Sequence, residues 1–411
     1  MKNINKQRVE GLLQGLAGFG AVPGAGITRL AYSATDRAAQ NWLLEQVASL
    51  QLEISEDAVG NLHLLRPGKN RALPPVATGS HLDTVIHGGA YDGMCGVVGA
   101  LEALYMLQQE ELERSLEVIV FRAEESSRFS YATVGSKLMT GVASLEKLSQ
   151  GTKKGDISLP EAMQEWGCVP ENYTQAIKKP GDYKCFAEMH IEQGKVLEEL
   201  GVEVGIVHGI AAPTRFKLHV QGMADHSGAT PMGMRHDALV SAAKLVLAVE
   251  QSAMAEKESG TVGTVGVVEV DPGSINVVPG AVTLWVDVRG VQQESIDRCL
   301  EGIMQQAAAI AAADDVQITK EMLTADKPVA LDETLVAQSE SICREKGISF
   351  KHMVSGAGHD AMHMANICPT TMLFIPCRGG ISHNPAEFAE NEDICKAIEI
   401  LAEILYREAK A

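Results

Sequence analysis

The chain has 411 residues, 45% of them hydrophobic and 21% charged, which suggests two to three domains of ordinary globular type and excludes a disordered or fibrous chain. Thirty-five lysines and arginines against 53 aspartates and glutamates leave a formal net charge of −18. Such a surface is expected to repel polyanions, so neither nucleic acid nor a membrane is predicted as a partner. Residues 1–20 lack a long apolar core with a small-residue cleavage site, so no signal peptide is expected. No uninterrupted apolar run approaches the ~18 residues of a membrane helix. Eight cysteines, none in a CxxC pair, read as reduced packing residues of a cytoplasmic protein.

In chain order, apolar spacing predicts helices over 5–20 and 35–52, then a strand at 60–67. PPVATGSH (74–81) is a short apolar strand ending on a histidine, and residues 93–110 form an amphipathic helix. LEVIVFRAEE (116–125) is an apolar strand ending on two glutamates, and YKCFAEMH (183–190) a strand ending on a second histidine. TMLFIPC (371–377) precedes a glycine-rich loop and SHNP. Continuous apolar strands alternating with helices predict a sheet covered on both faces. Residues 212–326 read differently, as β-α-β-β-α-β, a self-contained ferredoxin-like layer. The expected organisation is therefore α/β, with one domain built from 1–211 and 327–411 and a smaller one, 212–326, inserted into it.

Five places along the larger domain offer metal-ligand chemistry, most at or just beyond a strand end, where open α/β sheets build their sites. They are His81 with Asp83 in GSHLDTV, Asp92 in GGAYDG, Glu124 with Glu125, His190 in CFAEMH, and His383 in GGISHNP. Competing motifs are missing. The glycines at 93, 96 and 99 form no dinucleotide fingerprint, and there is no phosphate-binding loop or G-x-S-x-G nucleophile elbow. In the smaller domain, Arg289 ends the alternating strand VTLWVDVR, in phase with Thr283 and Asp287, where its guanidinium can take a carboxylate bidentately.

The ordered set GITRLAYS, HLDTV, GGAYDG, EESSRF, HIEQG, HSGATPM, NVVPG, SGAGHDA and GGISHNPAE spans residues 26–387. It resembles the co-catalytic metallo-aminoacylase and carboxypeptidase superfamily, in particular the branch of N-carbamoyl-L-amino acid hydrolases, allantoate amidohydrolases and β-ureidopropionases. The resemblance implies a zinc-exopeptidase-like catalytic domain, with a mixed sheet flanked by helices, and an inserted lid and dimerisation domain. It implies two divalent ions per subunit, zinc first, with manganese, cobalt or nickel as alternatives. Asp92 would bridge them, His81 and His190 would bind one, and Glu125 and His383 the other. Asp83 would orient the His81 imidazole through its second nitrogen, and Glu124 would be the general base.

The same resemblance makes His226 the donor to the tetrahedral oxyanion, reaching from one subunit of a homodimer to the other, with Asn276 and Arg289 holding the substrate carboxylate. Gln193 would meet the ureido group, and Gly358 and His359 would line the substrate. Two departures stand out: Ser126 and Ser127 replace a glycine common after the paired glutamates, and IAAPTRF replaces the glycine and two arginines usual in allantoate-cleaving relatives. The implied activity is hydrolysis of the linear C–N bond of a ureido carboxylic acid, N-carbamoyl-L-amino acids first and allantoate second. An N-acyl or peptide substrate, a non-catalytic dimeric binding homologue, and a cysteine amidase using Cys95 or Cys185 are the competing readings.

Overall fold

The computed structural model describes residues 1–150 and 156–411. They form two compact units, Met1–His208 with Leu331–Ala411, and Gly209–Ala330. The division falls a few residues outside the boundaries read from the sequence.

The first unit is built on four parallel strands, in the order Thr370–Ile375, Cys185–Ile191, Val76–His81, Leu116–Phe121. Every residue of these strands is buried, which is why they read as continuous apolar runs rather than alternating ones. Antiparallel strands extend the sheet at both edges: Val204–Ile210 beside Thr370–Ile375, and Leu62–Arg66 with Glu53–Glu56 beyond Leu116–Phe121. The sheet is thus mixed, as expected.

Side-chain alternation along Cys185–Ile191 shows how its two faces are covered. Met189 lies against the helix Met94–Leu107, whose glycines 96 and 99 leave no room for a β-carbon beside it. Glu188, on the opposite face, accepts the main-chain N–H of Ala361 at the start of the helix Asp360–Met364. Gly96 and Gly99 are therefore helix–strand contacts. The strand read to Glu125 stops at Phe121, because Ala123 turns the chain through a left-handed conformation, φ 54°. Glu124 and Glu125 lie in the loop that follows, freed from strict strand alternation.

The second unit is an antiparallel sheet in the order Val262–Asp271, Ala281–Gly290, Ala212–Gln221, Gln317–Ala325. The helices Ala238–Ala255 and Gln293–Asp314 pack against one face over Phe216, Leu218, Leu245, Leu284, Ile296 and Ile303. By length and composition Ala238–Ala255 alone, among the described residues, could cross a membrane. Its hydropathy comes partly from the buried stripe Ala238, Ala242, Leu245 and Val249 and partly from exposed residues such as Val240, Leu247 and Met254, and Lys244 on it pairs with Asp314. Among the described residues no helix packs on the other sheet face, which presents Arg215, Lys217, Trp285, Asp287 and Arg289.

Candidate metal centre

All four parallel strands deliver a candidate ligand at or beyond their carboxyl ends. His81 is the last residue of Val76–His81, His190 the penultimate residue of Cys185–Ile191, Glu125 follows Leu116–Phe121, and His383 follows Thr370–Ile375. They converge on Asp92, two residues ahead of the helix Met94–Leu107. His81 Nε2 and His190 Nε2 lie 3.4 and 3.1 Å from Asp92 Oδ1. His383 Nε2 lies 3.3 Å from Asp92 Oδ2 and 3.2 Å from Glu125 Oε1. Two groups result, His81–Asp92–His190 and Asp92–Glu125–His383, which share the aspartate but use different oxygens of it.

The donor atoms suit a divalent ion in spacing and in protonation. Ligand atoms ~2.0–2.1 Å from a tetrahedral ion sit ~3.3 Å apart, close to every separation above. His81 Nδ1 donates to the Asp83 main-chain carbonyl and His190 Nδ1 to that of Ile191, both at 2.9 Å. In the neutral imidazoles the Nε2 lone pairs then face carboxylate oxygens, and only a cation, a proton or a metal ion, can sit between them. Burial pushes the Asp92 carboxyl up, yet the three histidines outweigh it and hold it well below its ordinary range. The His383 imidazole is pushed up to about 11 by its hydrogen bonds to Asp92 and Glu125. Five of the six ligand and base positions are buried, while the His383 side chain is 50% exposed, so the centre opens to solvent on that side.

Glu124 lies beside the two groups, with Oε2 3.8 Å from His81 Nε2. Burial, reinforced by the charges of Glu125, Asp360 and Asp83, pushes its carboxyl well above the ordinary range, although His81 opposes the shift. A carboxyl so placed holds and returns a proton, the property a general base and acid needs.

Asp83 meets two sets of partners with different atoms. It holds His81 through its main-chain carbonyl, whereas its carboxylate accepts the N–H groups of Glu124 (3.2 Å) and Glu125 (3.0 Å). The carboxylate oxygen is 3.8 Å from His81 Nδ1, too far for a hydrogen bond, because the two main-chain donors capture it. Asp83 therefore fixes the glutamate loop as well as the imidazole. Gln193, expected on the ureido group, directs Nε2 onto Asp92 Oδ2 at 2.7 Å. His359 packs edge-to-face on His190, ring centroids 4.5 Å apart, and its Nε2 meets Ser355 Oγ. Gly358 is exposed, with open space where a β-carbon would be.

The remaining candidates lie in the second unit. The exposed His226 accepts the N–H groups of Gly228 and Ala229 on Nδ1, at 3.1 and 3.2 Å, which leaves Nε2 as the protonated, donating nitrogen. Asn276 is exposed, and its carbonyl accepts the Ser227 N–H beside the short ladder that pairs His226 with Val277. Arg289 grips Asp287.

Three contributors were not singled out from the sequence. Glu387 accepts the main-chain N–H groups of Tyr91 and Asp92, at 2.8 and 3.0 Å, and Ser382 donates to both Glu387 and Asp92, so the His383 loop is tied to the Asp92 loop. Arg29, fully buried, donates from Nε to the Leu82 carbonyl between His81 and Asp83. Arg29 and Glu387 stand inside quoted motifs, GITRLAYS and GGISHNPAE, and that was the available signal. Three non-glycine residues at the centre, Ala123, Gln193 and His383, hold left-handed backbone conformations, the kind of strain that gathers at functional sites.

Comparison with known proteins shows which family the chain belongs to. Residues 71–407 match peptidase family M20/M25/M40. An N-carbamoyl-L-amino acid amidohydrolase of Geobacillus stearothermophilus is 37% identical over 99% of both chains. The allantoate amidohydrolase of Escherichia coli K12 is 35% identical over 98% of both. The crystal structure of a hydantoinase/carbamoylase family amidase from Burkholderia multivorans, 32% identical, covers 100% of this chain and 99% of its own with a TM-score of 0.91. The chain therefore belongs to peptidase family M20/M25/M40, and is an amidohydrolase of carbon–nitrogen bonds in linear amides.

Proposed function

We propose that the protein hydrolyses the linear C–N bond of a ureido carboxylic acid, N-carbamoyl-L-amino acids first and allantoate second, at a pair of divalent ions. The observation that carries this reading is Asp92, whose two oxygens each face a separate donor group. His81 and His190 would hold one ion, Glu125 and His383 the other, and Asp92 both. A pair of divalent ions lowers the pKa of water and polarises a carbonyl oxygen.

The chain's own side chains do the rest. Glu124 takes a proton from the attacking water, which adds to the carbamoyl carbon. His226 donates from Nε2 to the developing oxyanion, an interaction that can be worth ~3–4 kcal/mol. Glu124 then returns the proton to the leaving nitrogen, which departs as ammonia. The carbamate left behind loses carbon dioxide to give the amino acid. Asn276 and Arg289 hold the carboxylate.

In this reading His226, Asn276 and Arg289 act across a homodimer. The exposed apolar residues Val240, Leu247 and Met254 on the helix Ala238–Ala255, beside the open edge strand Val262–Asp271, support association there. All eight cysteines are unpaired, in keeping with a reducing cytoplasm. A thiol mechanism has little support, because burial pushes the Cys95 and Cys185 thiols up and away from the reactive thiolate.

The test is ammonia release from a panel of N-carbamoyl-L-amino acids, allantoate and N-acyl amino acids by enzyme stripped with a chelator and reloaded with zinc, manganese, cobalt or nickel. The expected result is turnover of ureido acids that vanishes on stripping and returns on reloading. Activity indifferent to chelators but abolished by thiol alkylation would refute the metal reading, and turnover of N-acyl amino acids alone would refute the ureido assignment.

A further inference from the structure

The open face of the second unit's sheet carries a pocket of about 450 Å³ whose charged lining is Arg215, Asp287 and Arg289. Arg215, Asp287 and Thr264 occupy one cross-strand row, and Arg289 lies two residues beyond Asp287 on the same strand and the same face. Arg289 reaches back to Asp287 through Nε and Nη2, both at 3.0 Å, while Arg215 approaches from the neighbouring strand with Nε 2.9 Å from Asp287 Oδ2. Burial pushes the Asp287 carboxyl up, but the hydrogen bonds from both arginines outweigh it and keep it ionised.

One carboxylate thus orients two guanidinium groups. In the adjoining rows Glu321 answers both Lys217 and His219. Two guanidinium groups around one carboxylate on the wall of a pocket, in a chain of net charge −18, make a local attractor for an anion. Arg215 spends only Nε on Asp287, and among the described residues no protein acceptor holds its two terminal nitrogens. Trp285, Val262 and Leu323 give the pocket apolar walls, which strengthens a charge-assisted contact relative to open water. The ladder slips at Gly266 on the same wall, where a β-carbon would meet nothing within 4 Å, so there is room for a ligand against the strands.

We propose that Arg215 is a second carboxylate-binding residue: the substrate's carboxylate lies between the guanidinium groups of Arg215 and Arg289, and Asp287 is the positioning residue that presents them both. This rests on the reading that Arg289 anchors a ureido acid, and it makes the free carboxylate, rather than the ureido group alone, the feature by which substrates are chosen. It also gives a function to the arginine of IAAPTRF, a segment in which the chain departs from allantoate-cleaving relatives.

The experiment uses metal-loaded full-length enzyme with two probes, N-carbamoyl-L-phenylalanine and its carboxamide. Arg215 is exposed and Arg289 half-buried on this face, so Arg215→Gln should melt as the parent does and Arg289→Gln slightly below it. With the acid, Arg215→Gln should raise KM ~10-fold or more while kcat stays within ~3-fold. Arg215→Lys should recover part of that loss, and the double variant should lose less than the two single losses multiplied, because both groups hold the same carboxylate. With the carboxamide, parent and Arg215→Gln should share one KM. An unchanged KM for the acid in Arg215→Gln, with a raised KM in Arg289→Gln, overturns the second arm and leaves the Arg289 anchor standing. An equal rise for the acid and the carboxamide overturns it too, as a general distortion. If Arg289→Gln also leaves KM unchanged, or the parent releases ammonia from neither probe, the underlying reading falls along with it.

Discussion

Glu124 and Glu125 are chemically identical neighbours set on different tasks by one backbone torsion and two hydrogen bonds. Ala123, at φ 54°, turns the chain off the strand, and the Asp83 carboxylate then fixes both glutamate N–H groups. Glu125 meets His383, whereas Glu124 is left buried beside His81 without a hydrogen-bonded partner for its carboxyl among the interactions described above. Replacing Glu124 by Gln keeps shape and removes the proton acceptor. The variant should bind the same number of metal equivalents as the parent and lose at least ~100-fold in kcat. Metal analysis alongside single-substrate kinetics decides it, and retained turnover would remove Glu124 from the mechanism. Histidines at strand ends were legible in the sequence because few residue types bind metals and topology gathers strand ends. The carboxylate of Asp83 and the whole of Glu387 were not, since their partners are main-chain N–H groups. Glu387 meets its own nearly 300 positions away, and sequence leaves no mark of such a bond.

At the scale of elements, a closely set helix and strand carry the centre. The helix Met94–Leu107 is buried along all its length and holds Asp92 just ahead of its first turn. A β-carbon on Gly96 would come within 2.4 Å of the Met189 carbonyl oxygen, one residue from His190, and a backbone atom cannot step aside as a side-chain tip can. Gly96→Ala should therefore destabilise by about 1–3 kcal/mol despite alanine's better helix propensity, seen as a melting temperature lowered by several degrees. Gly11→Ala, on the exposed side of the helix Lys6–Ala17 with nothing within 4 Å of the new carbon, is the control. It should be neutral or raise stability by up to ~1 kcal/mol. A Gly96→Ala protein as stable as the Gly11→Ala protein would show that the helix can lift off the strand without loss. The existence of these elements was readable, because buried parallel strands are unbroken apolar runs and helices repeat with their own period. Their ends were not. Arg122 follows LEVIVF without marking its end, and the left-handed turn at Ala123 that stops the strand has no glycine to announce it.

Across the whole molecule, stability should peak near neutral pH, for a reason set by two histidines outside the metal centre. His63 is buried between Glu117, 2.6 Å from Nδ1, and Asp57, 3.4 Å from Nε2. Burial pulls its pKa down, but the two carboxylates prevail and raise it to about 9. A folded-state pKa above the unfolded value of 6.5 means that the proton is bound more tightly in the native protein. The resulting stabilisation, on the order of 3 kcal/mol, is complete below pH ~6.5 and is lost as pH climbs through ~9. His363 is the opposite case. Burial, with Lys137 adding to it, lowers its pKa to about 3, and it keeps a neutral ring against Thr133 Oγ1 at 2.8 Å. Its contribution is complete above pH ~6.5 and shrinks as pH falls towards 3, because the unfolded chain takes up a proton that the folded one refuses. The net charge of −18 also grows more negative with pH and adds its own self-repulsion, so a single melting curve cannot isolate either histidine. The difference between parent and variant can. The stability gap between parent and His63→Gln should be widest at pH 6 and largely closed at pH 9.5, while that between parent and His363→Gln should narrow from pH 7 to pH 4. Gaps that stay constant with pH would mean that neither imidazole changes its protonation on unfolding, and the acid and alkaline limits of the fold would then have to come from the carboxylates and from net charge alone.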